Sequence, residues 1–255
     1  MNDVEVKWIE EPKLKKAILI EGLPGIGLVG KLAADHLLEE LDAKKFAEIT
    51  SPYLPPQVMI LDDGTIEQVK LELYYYEREE GDLVFLVGGF QGITPESQYH
   101  LTERILEALK KIDVNIVYTL GGLGTGAITH NPRVFGAATS RDLVKEHEKF
   151  DIIFKGGGAI FGASGLLLGM ANKYGMDGVC LMGETHGQII DAKSAEAVLL
   201  MLMKILDIKV DMKALENKAK DTEEQINKMS SMINTQKKAL ERQQDFMNES
   251  PYYIR

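Results

Sequence analysis

The sequence predicts an α/β fold: a mixed, largely parallel sheet with helices on both faces, followed by a C-terminal heptad helix. Three observations carry this expectation. Short apolar runs alternate with helical stretches over most of residues 17–206, which is the pattern of βαβ units and hence of parallel strands. Glycine-rich stretches follow five of those runs, at residues 22, 88, 121, 156 and 183, where a chain leaving a strand must turn closely. After Leu206 the composition changes: glycine is absent from residue 188 onward and an apolar repeat with a period of seven takes over.

In chain order, Trp8 and Ile9 ahead of Pro12 read as an edge strand or arm, and Ala17 to Ile20 as the first core strand. A glycine-rich bend, Gly22 to Gly30, leads into Leu28, Leu32, Leu37 and Leu38 at near-helical spacing, which predicts a helix over 28–41. Phe46 to Thr50 is a second apolar run. Pro52, Pro55 and Pro56 then forbid helix and dictate a stiff surface connection. Residues 58–90 read as a β meander, with strands over 58–61, 66–76 and 83–87 and turns at Asp63-Gly64 and Glu80-Gly81-Asp82. Val69, Leu71, Leu73 and Tyr75 alternate with Lys70, Glu72, Tyr74 and Tyr76, so one face is apolar and the other amphipathic. That tyrosine face either meets a partner or roofs an intramolecular helix.

From Val87 the order becomes strand, turn, helix, strand. Thr94 caps a helix over 95–111 with Pro95 at its first position, and a strand over 114–120 follows. A glycine turn at 121–126 leads through Thr129-His130-Asn131-Pro132 to a short apolar run and a helix over 140–147. Strand 152–154, helix 161–173, strand 178–182 and helix 191–206 complete a body that ends near residue 210. Its three-layer architecture resembles that of nucleoside phosphorylases.

Composition narrows the function. A formal charge of −10 and a pI near 5.1 leave no general attraction to nucleic acid or anionic membranes. Cys180 is the single cysteine, so no internal disulfide or cysteine-based zinc site forms. The opening segment MNDVEVKWIEEPKLKK lacks an apolar core, which predicts a cytoplasmic protein. Gly156 to Asn172 is uncharged, but its six glycines predict a buried, closely packed helix rather than a membrane span.

Gly25, Gly27 and Gly30 fit G-x-G-x-x-G, and Gly25 to Lys31 nearly fits a P-loop, with Leu32 where a Ser or Thr should meet Mg²⁺. Glu48 is the one acid placed to take a ribose. Glycines that pack a strand against a helix give the same pattern with no ligand. If the glycine-rich strand ends share one edge of the sheet, that edge also gathers Gln91, Thr94, Thr125, His130, Asn131, Glu184, Thr185 and His186. Such a set could serve a nucleoside- or nucleotide-acting enzyme with His130 or Glu184 carrying protons, although no strong catalytic signature is present.

The stretch EGLPGIGLVGKLAADHLLEE, with Glu21, Gly22, Pro24-Gly25-Ile26-Gly27 and Val29-Gly30 in that order, resembles the opening of the archaeal proteasome-assembly-chaperone family, relatives of the second subunit of the eukaryotic assembly-chaperone pair. Gly88-Gly89, Gly121 to Gly126 and Gly165 to Gly169 fall where that family has them, so the resemblance covers roughly residues 10 to 210. It implies a non-catalytic binding protein without a cofactor, whose partners are proteasome α-subunits and whose glycines Gly22, Gly25, Gly27 and Gly30 serve the fold.

Beyond the body, alternating steps of three and four from Met212 reach Leu215, Ala219, Thr222, Ile226, Met229, Ile233, Gln236, Leu240, Gln243 and Met247. This heptad seam predicts a helical arm over 211–250, which packs on its own body or, as we expect, supports a homo-oligomer through Leu215, Ile226, Met229, Ile233 and Leu240. The arm and tail hold eight basic and eight acidic residues, so charge does not keep such arms apart. Pro251 then frees an aromatic peptide, Tyr252, Tyr253, Ile254 and Arg255. Proteasome activators and assembly chaperones resemble one another in such endings, where a hydrophobic residue, a penultimate tyrosine and a terminal residue insert between α-subunits. Here the tyrosine, Tyr253, stands one place earlier.

Overall fold

The computed structural model describes residues 4–221. The tail Tyr252 to Arg255 and the seam positions Ile226, Met229, Ile233 and Leu240 lie outside the described residues.

The chain begins with β1 (Glu5–Trp8), β2 (Ala17–Gly22), α1 (Val29–Glu40) and β3 (Lys44–Thr50). The hairpin β4 (Val58–Ile60) and β5 (Ile66–Gln68), then β6 (Leu71–Tyr76) and β7 (Leu83–Gly88), follow. The remainder is α2 (Pro95–Lys111), β8 (Val114–Gly124), β9 (Val134–Ala138), α3 (Arg141–Glu148), β10 (Ile153–Phe154), α4 (Gly162–Ala171), β11 (Asp177–Thr185) and α5 (Ala192–Leu206). Nine strands form one sheet in the order β1-β3-β6-β7-β2-β8-β11-β9-β10. The four central strands, β7, β2, β8 and β11, run parallel. Antiparallel pairs β1–β3, β3–β6 and β6–β7 flank them on one side, and β9 runs antiparallel to β11 on the other.

Helices cover both faces, because central parallel strands are apolar on both. Leu19, Val84, Leu86 and Val117 meet Leu101, Ile105 and Leu109 of α2 and Leu167 of α4. On the opposite face Ile20, Phe85, Leu120 and Leu181 meet Val29, Ala33 and Leu37 of α1 and Val198 and Leu202 of α5. Thr94 accepts from the Ser97 N–H at 3.1 Å while Ser97 returns a bond to the cap, so α2 starts at the proline the sequence marks. In α3, buried His147 donates through Nδ1 to the Leu143 carbonyl at 2.8 Å, which leaves Nε2 to accept from the Tyr118 hydroxyl at 2.9 Å. That pair pins α3 to β8.

Four segments differ from expectation. The strand expected over 66–76 breaks at Val69-Lys70: β5 pairs only with β4 outside the main sheet, whereas β6 carries the pairing to β3 and β7. Val69 buries into the core at the break, and the hairpin leaves Val58, Ile60 and Ile66 exposed. Residues 121–124, expected as a turn, continue β8, paired with β11 as far as Gly124 and Thr185. Residues 134–138 form a full strand. Gly156 to Asn172 divides into a glycine bend and the ten-residue α4, and no helix of the described residues is long and apolar enough to cross a membrane. Tyr74 and Tyr76 pack partly against the α1 side of the core, the intramolecular alternative for that face.

The chain is helical again over 213–221. Leu215 and Ala219 bury in the core formed by α1 and α5, and His36 of α1 donates through Nε2 to the Asp211 carbonyl at 2.8 Å. Leu215 was expected in the oligomer seam; a side chain already covered by its own body serves the fold instead.

Gly22, which closes β2 ahead of the fingerprint, and Gly30, the last fingerprint glycine, are packing positions. A Cβ on Gly22 would lie 2.1 Å from the Ala34 Cβ, and one on Gly30 would lie 2.0 Å from the Leu120 carbonyl oxygen. A Cβ on Gly25 would meet nothing within 4 Å, and its φ is −146°. Gly30→Ala is therefore expected to destabilise the fold by about 2–3 kcal/mol, as overpacking against backbone does, while Gly25→Ala stays within about 0.5 kcal/mol. Urea denaturation of both variants checks this, and equal effects would contradict it.

Candidate functional site

The parallel strands β2, β8 and β11 end at one edge of the sheet, the edge at which open α/β folds bind ligands. There, on the α4 side, lies a cleft of about 400 Å³. Its floor is the extended part of β8, Leu120 to Gly124, with Cys180 and Met182 of β11. Gly25 and Ile26 form one wall; Ile160, Phe161 and Ser164 at the start of α4 form the other.

Gln91 joins the loops around this cleft. Its amide nitrogen donates to the Pro24 carbonyl, and its amide oxygen accepts from the Ala163 N–H at 3.1 Å and from Gln98 at 2.9 Å. One side chain thus ties the loop after β2 to α2 and α4.

Beneath the cleft sits Glu21, fully buried at the end of β2. Strand alternation places it on the face of Leu19, toward α4, and register sets Thr119 beside it and Cys180 beyond Thr119. Its carboxylate accepts from the Leu23 N–H at 3.0 Å and from the Ser164 hydroxyl at 2.9 Å. Burial without a charged partner disfavours the ionised form and pushes the carboxyl up to about 7, against the lowering by those two hydrogen bonds. Burial also pushes the Cys180 thiol up to about 12, so it is no thiolate nucleophile near neutral pH.

Of the groups the sequence gathers at this edge, only Gln91 lines the cleft. Thr94 is spent on its cap. Glu184 takes a two-pronged ion pair from Arg133, at 2.8 Å to both oxygens, and this pairing holds its carboxyl below the usual range. Thr185 donates to Asp191 at 2.6 Å, an interaction that seats the start of α5. Thr125 hydrogen bonds back to Thr185. His130 and Asn131 lie exposed in the loop between β8 and β9, and His186 follows β11. The geometry of the first loop weighs against the nucleotide reading: Gly30 lies against the Leu120 carbonyl, Lys31 pairs with Asp35 at 2.7 Å, and Glu48 sits on β3, separated from β2 by β6 and β7, in a cluster with Lys45 and Lys70. The sequence signal for the cleft was one residue, a glutamate closing an otherwise apolar central strand.

The model of the PAC2 family matches residues 19–230. The chain belongs to the PAC2 family. Among solved structures it is similar to Pyrococcus furiosus PbaB, an archaeal proteasome activator, with 39% identity and a TM-score of 0.86 over 90% of this chain and 100% of that one. Pyrococcus furiosus PbaA, an archaeal homolog of proteasome-assembly chaperone, is 30% identical with a TM-score of 0.76 over 96% and 98% of the two chains. An uncharacterized protein of Methanocaldococcus jannaschii, MJ1210, is 45% identical over 226 residues, 88% of this chain and 86% of that one. The family membership expected from the glycine motifs holds, as does the α/β body.

Glu21 also gives the fold a pH dependence. Its carboxyl is raised from 4.5 to about 7 in the folded protein, so its stabilising share is complete below pH about 4.5 and is lost as pH rises through about 7. Glu21→Gln keeps an acceptor for Leu23 and can donate to Ser164. Relative to this variant, the wild type is expected to lose up to ~3 kcal/mol of stability between pH 4.5 and 8, at about 1.4 kcal/mol per pH unit of displacement. Urea midpoints across that range measure it; a constant difference would mean that Glu21 is already ionised at the lower end.

Proposed function

We propose that this chain is a non-catalytic proteasome assembly chaperone or adaptor of the cytoplasm that binds proteasome α-subunits, partly through its C-terminal tail, and acts as a homo-oligomer. The likeness to PbaB carries this reading: a single fold, at 39% identity, extends over 90% of this chain and the whole of that one. PbaA, a homolog of an assembly chaperone, shares the fold over nearly the same span. The alternative, a nucleoside- or nucleotide-acting enzyme at the glycine-rich edge, is weakened by glycines occupied by protein and by the pairing of Glu184 with Arg133.

In this reading the body is a platform and the tail is the probe. Tyr252 and Tyr253 give large apolar contacts with hydroxyls that find partners in a pocket, Ile254 adds apolar area, and Arg255 follows. An oligomer that presents several tails gains avidity of ~10²–10⁴ without new contact types.

Deleting residues 252–255 is expected to leave the fold and oligomer mass intact and to weaken capture of α-subunits at least tenfold in a pull-down, with Tyr253→Ala reproducing most of the loss. Undiminished capture by the truncated chain would move recognition to the body.

The oligomer has its own test. Ile226→Glu combined with Ile233→Glu places two charges where apolar burial is worth ~1.5–3 kcal/mol per side chain, so light scattering is expected to show a smaller particle with an unchanged circular dichroism spectrum. An unchanged mass would assign assembly to other surfaces.

A further inference from the structure

The proposed tail-mediated capture assigns no role to the cleft beside Glu21, yet the cleft has the properties of a ligand site. At about 400 Å³ it falls within the ~300–1,000 Å³ usual for small-molecule pockets. No lysine, arginine, aspartate or glutamate lines it, so a phosphate, carboxylate or ammonium entering it would lose water without gaining an ionic partner. Two glycines leave its backbone bare: a Cβ on either Gly25 or Gly121 would meet nothing within 4 Å. The extended β8 therefore offers a flat peptide surface. Facing it, Phe161 is 82% exposed and Ile26 45% exposed, apolar groups that a flat ring between them would cover.

Two side chains bring polar atoms to the lining. Gln91 spends its amide oxygen on Gln98 and Ala163 and one amide hydrogen on Pro24. Ser164, which lines the cleft, gives its proton to Glu21 at 2.9 Å. With its hydrogen directed at the carboxylate, the hydroxyl oxygen presents lone pairs as an acceptor.

We propose that this cleft binds a small, flat, uncharged heteroaromatic molecule through an N–H that donates to Ser164, with its ring stacked between the bare backbone at Gly121 and the side chains of Phe161 and Ile26. Gly121 is then the position that keeps the site open, and Glu21 is a positioning residue that orients the Ser164 hydroxyl. The site makes no use of the C-terminal tail, so it and the proposed α-subunit capture stand or fall separately.

Thermal-shift titrations of the full chain at pH 8 with indole, benzimidazole and adenine, against indole-3-acetate and adenosine monophosphate as charged counterparts, test the proposal. At least one uncharged probe is expected to raise Tm saturably, and its charged counterpart to act at least tenfold more weakly. Gly121→Leu, whose Cβ enters open space and whose side chain occupies the cleft, should abolish the response while circular dichroism and α-subunit capture stay as in the wild type. Phe161→Ala, at an exposed position that folding does not need, should weaken the response at least threefold, and Ser164→Ala about tenfold. The proposal is overturned if no uncharged probe shifts Tm, if the charged counterparts act equally well, or if folded Gly121→Leu and Phe161→Ala both respond like the wild type.

Discussion

The body depends on how closely its first helix approaches its sheet. Gly22 on β2 lets the Ala34 methyl reach the strand backbone, and Gly30 on α1 lies against the Leu120 carbonyl of β8. With no side chain between them, helix and strands meet backbone to backbone, so small changes in volume there are felt directly. Gly27, at φ 65°, and Leu28, at φ 52°, turn the chain into that position through left-handed backbone. Because α1 also packs on α5 and holds Asp211 through His36, the same contact sets the place of α5 and of the segment after it as far as residue 221.

The cleft at the strand ends is a consequence of the arrangement. β8 and β11 run on past the end of β2, since the loop after β2 bends at once into α1 and leaves one side of β8 without a strand. The 3-10 turn at Ile26–Leu28 covers part of it, with the Ile26 carbonyl closing over Gly122. What remains uncovered is the space above Gly121. Glu21, at the penultimate position of β2, lies under this opening and meets no basic side chain, which is why its carboxyl departs so far from an ordinary one.

Much of this was legible beforehand, for particular physical reasons. The helix starts at Thr94 and Ser140 and the apolar runs at 17–20 and 83–87 are local signals, and each appears where propensity and pattern put it. Gly121 to Gly124 misled because glycine signals a turn when read alone, whereas here it admits Ile26 against a strand that β11 holds straight. The break at Val69 was hidden because alternation continues across it; only the partners change, and pairing partners are not written in a local pattern. Leu215 fits a heptad, and a heptad does not say what fills its holes. The relation of Ser164 to Glu21 joins residues 143 positions apart, beyond any spacing rule.

The manner in which residues 213–221 are seated bears on mechanics. Leu215 and Ala219 are embedded between α1 and α5, and the Asp211 carbonyl is bonded to His36 on α1. A joint with three such attachments is a clamp and not a hinge. The direction of the helical segment 213–221 is thereby fixed to α1 and α5, and a force on that segment is delivered as torque on the helix that packs against the central strands.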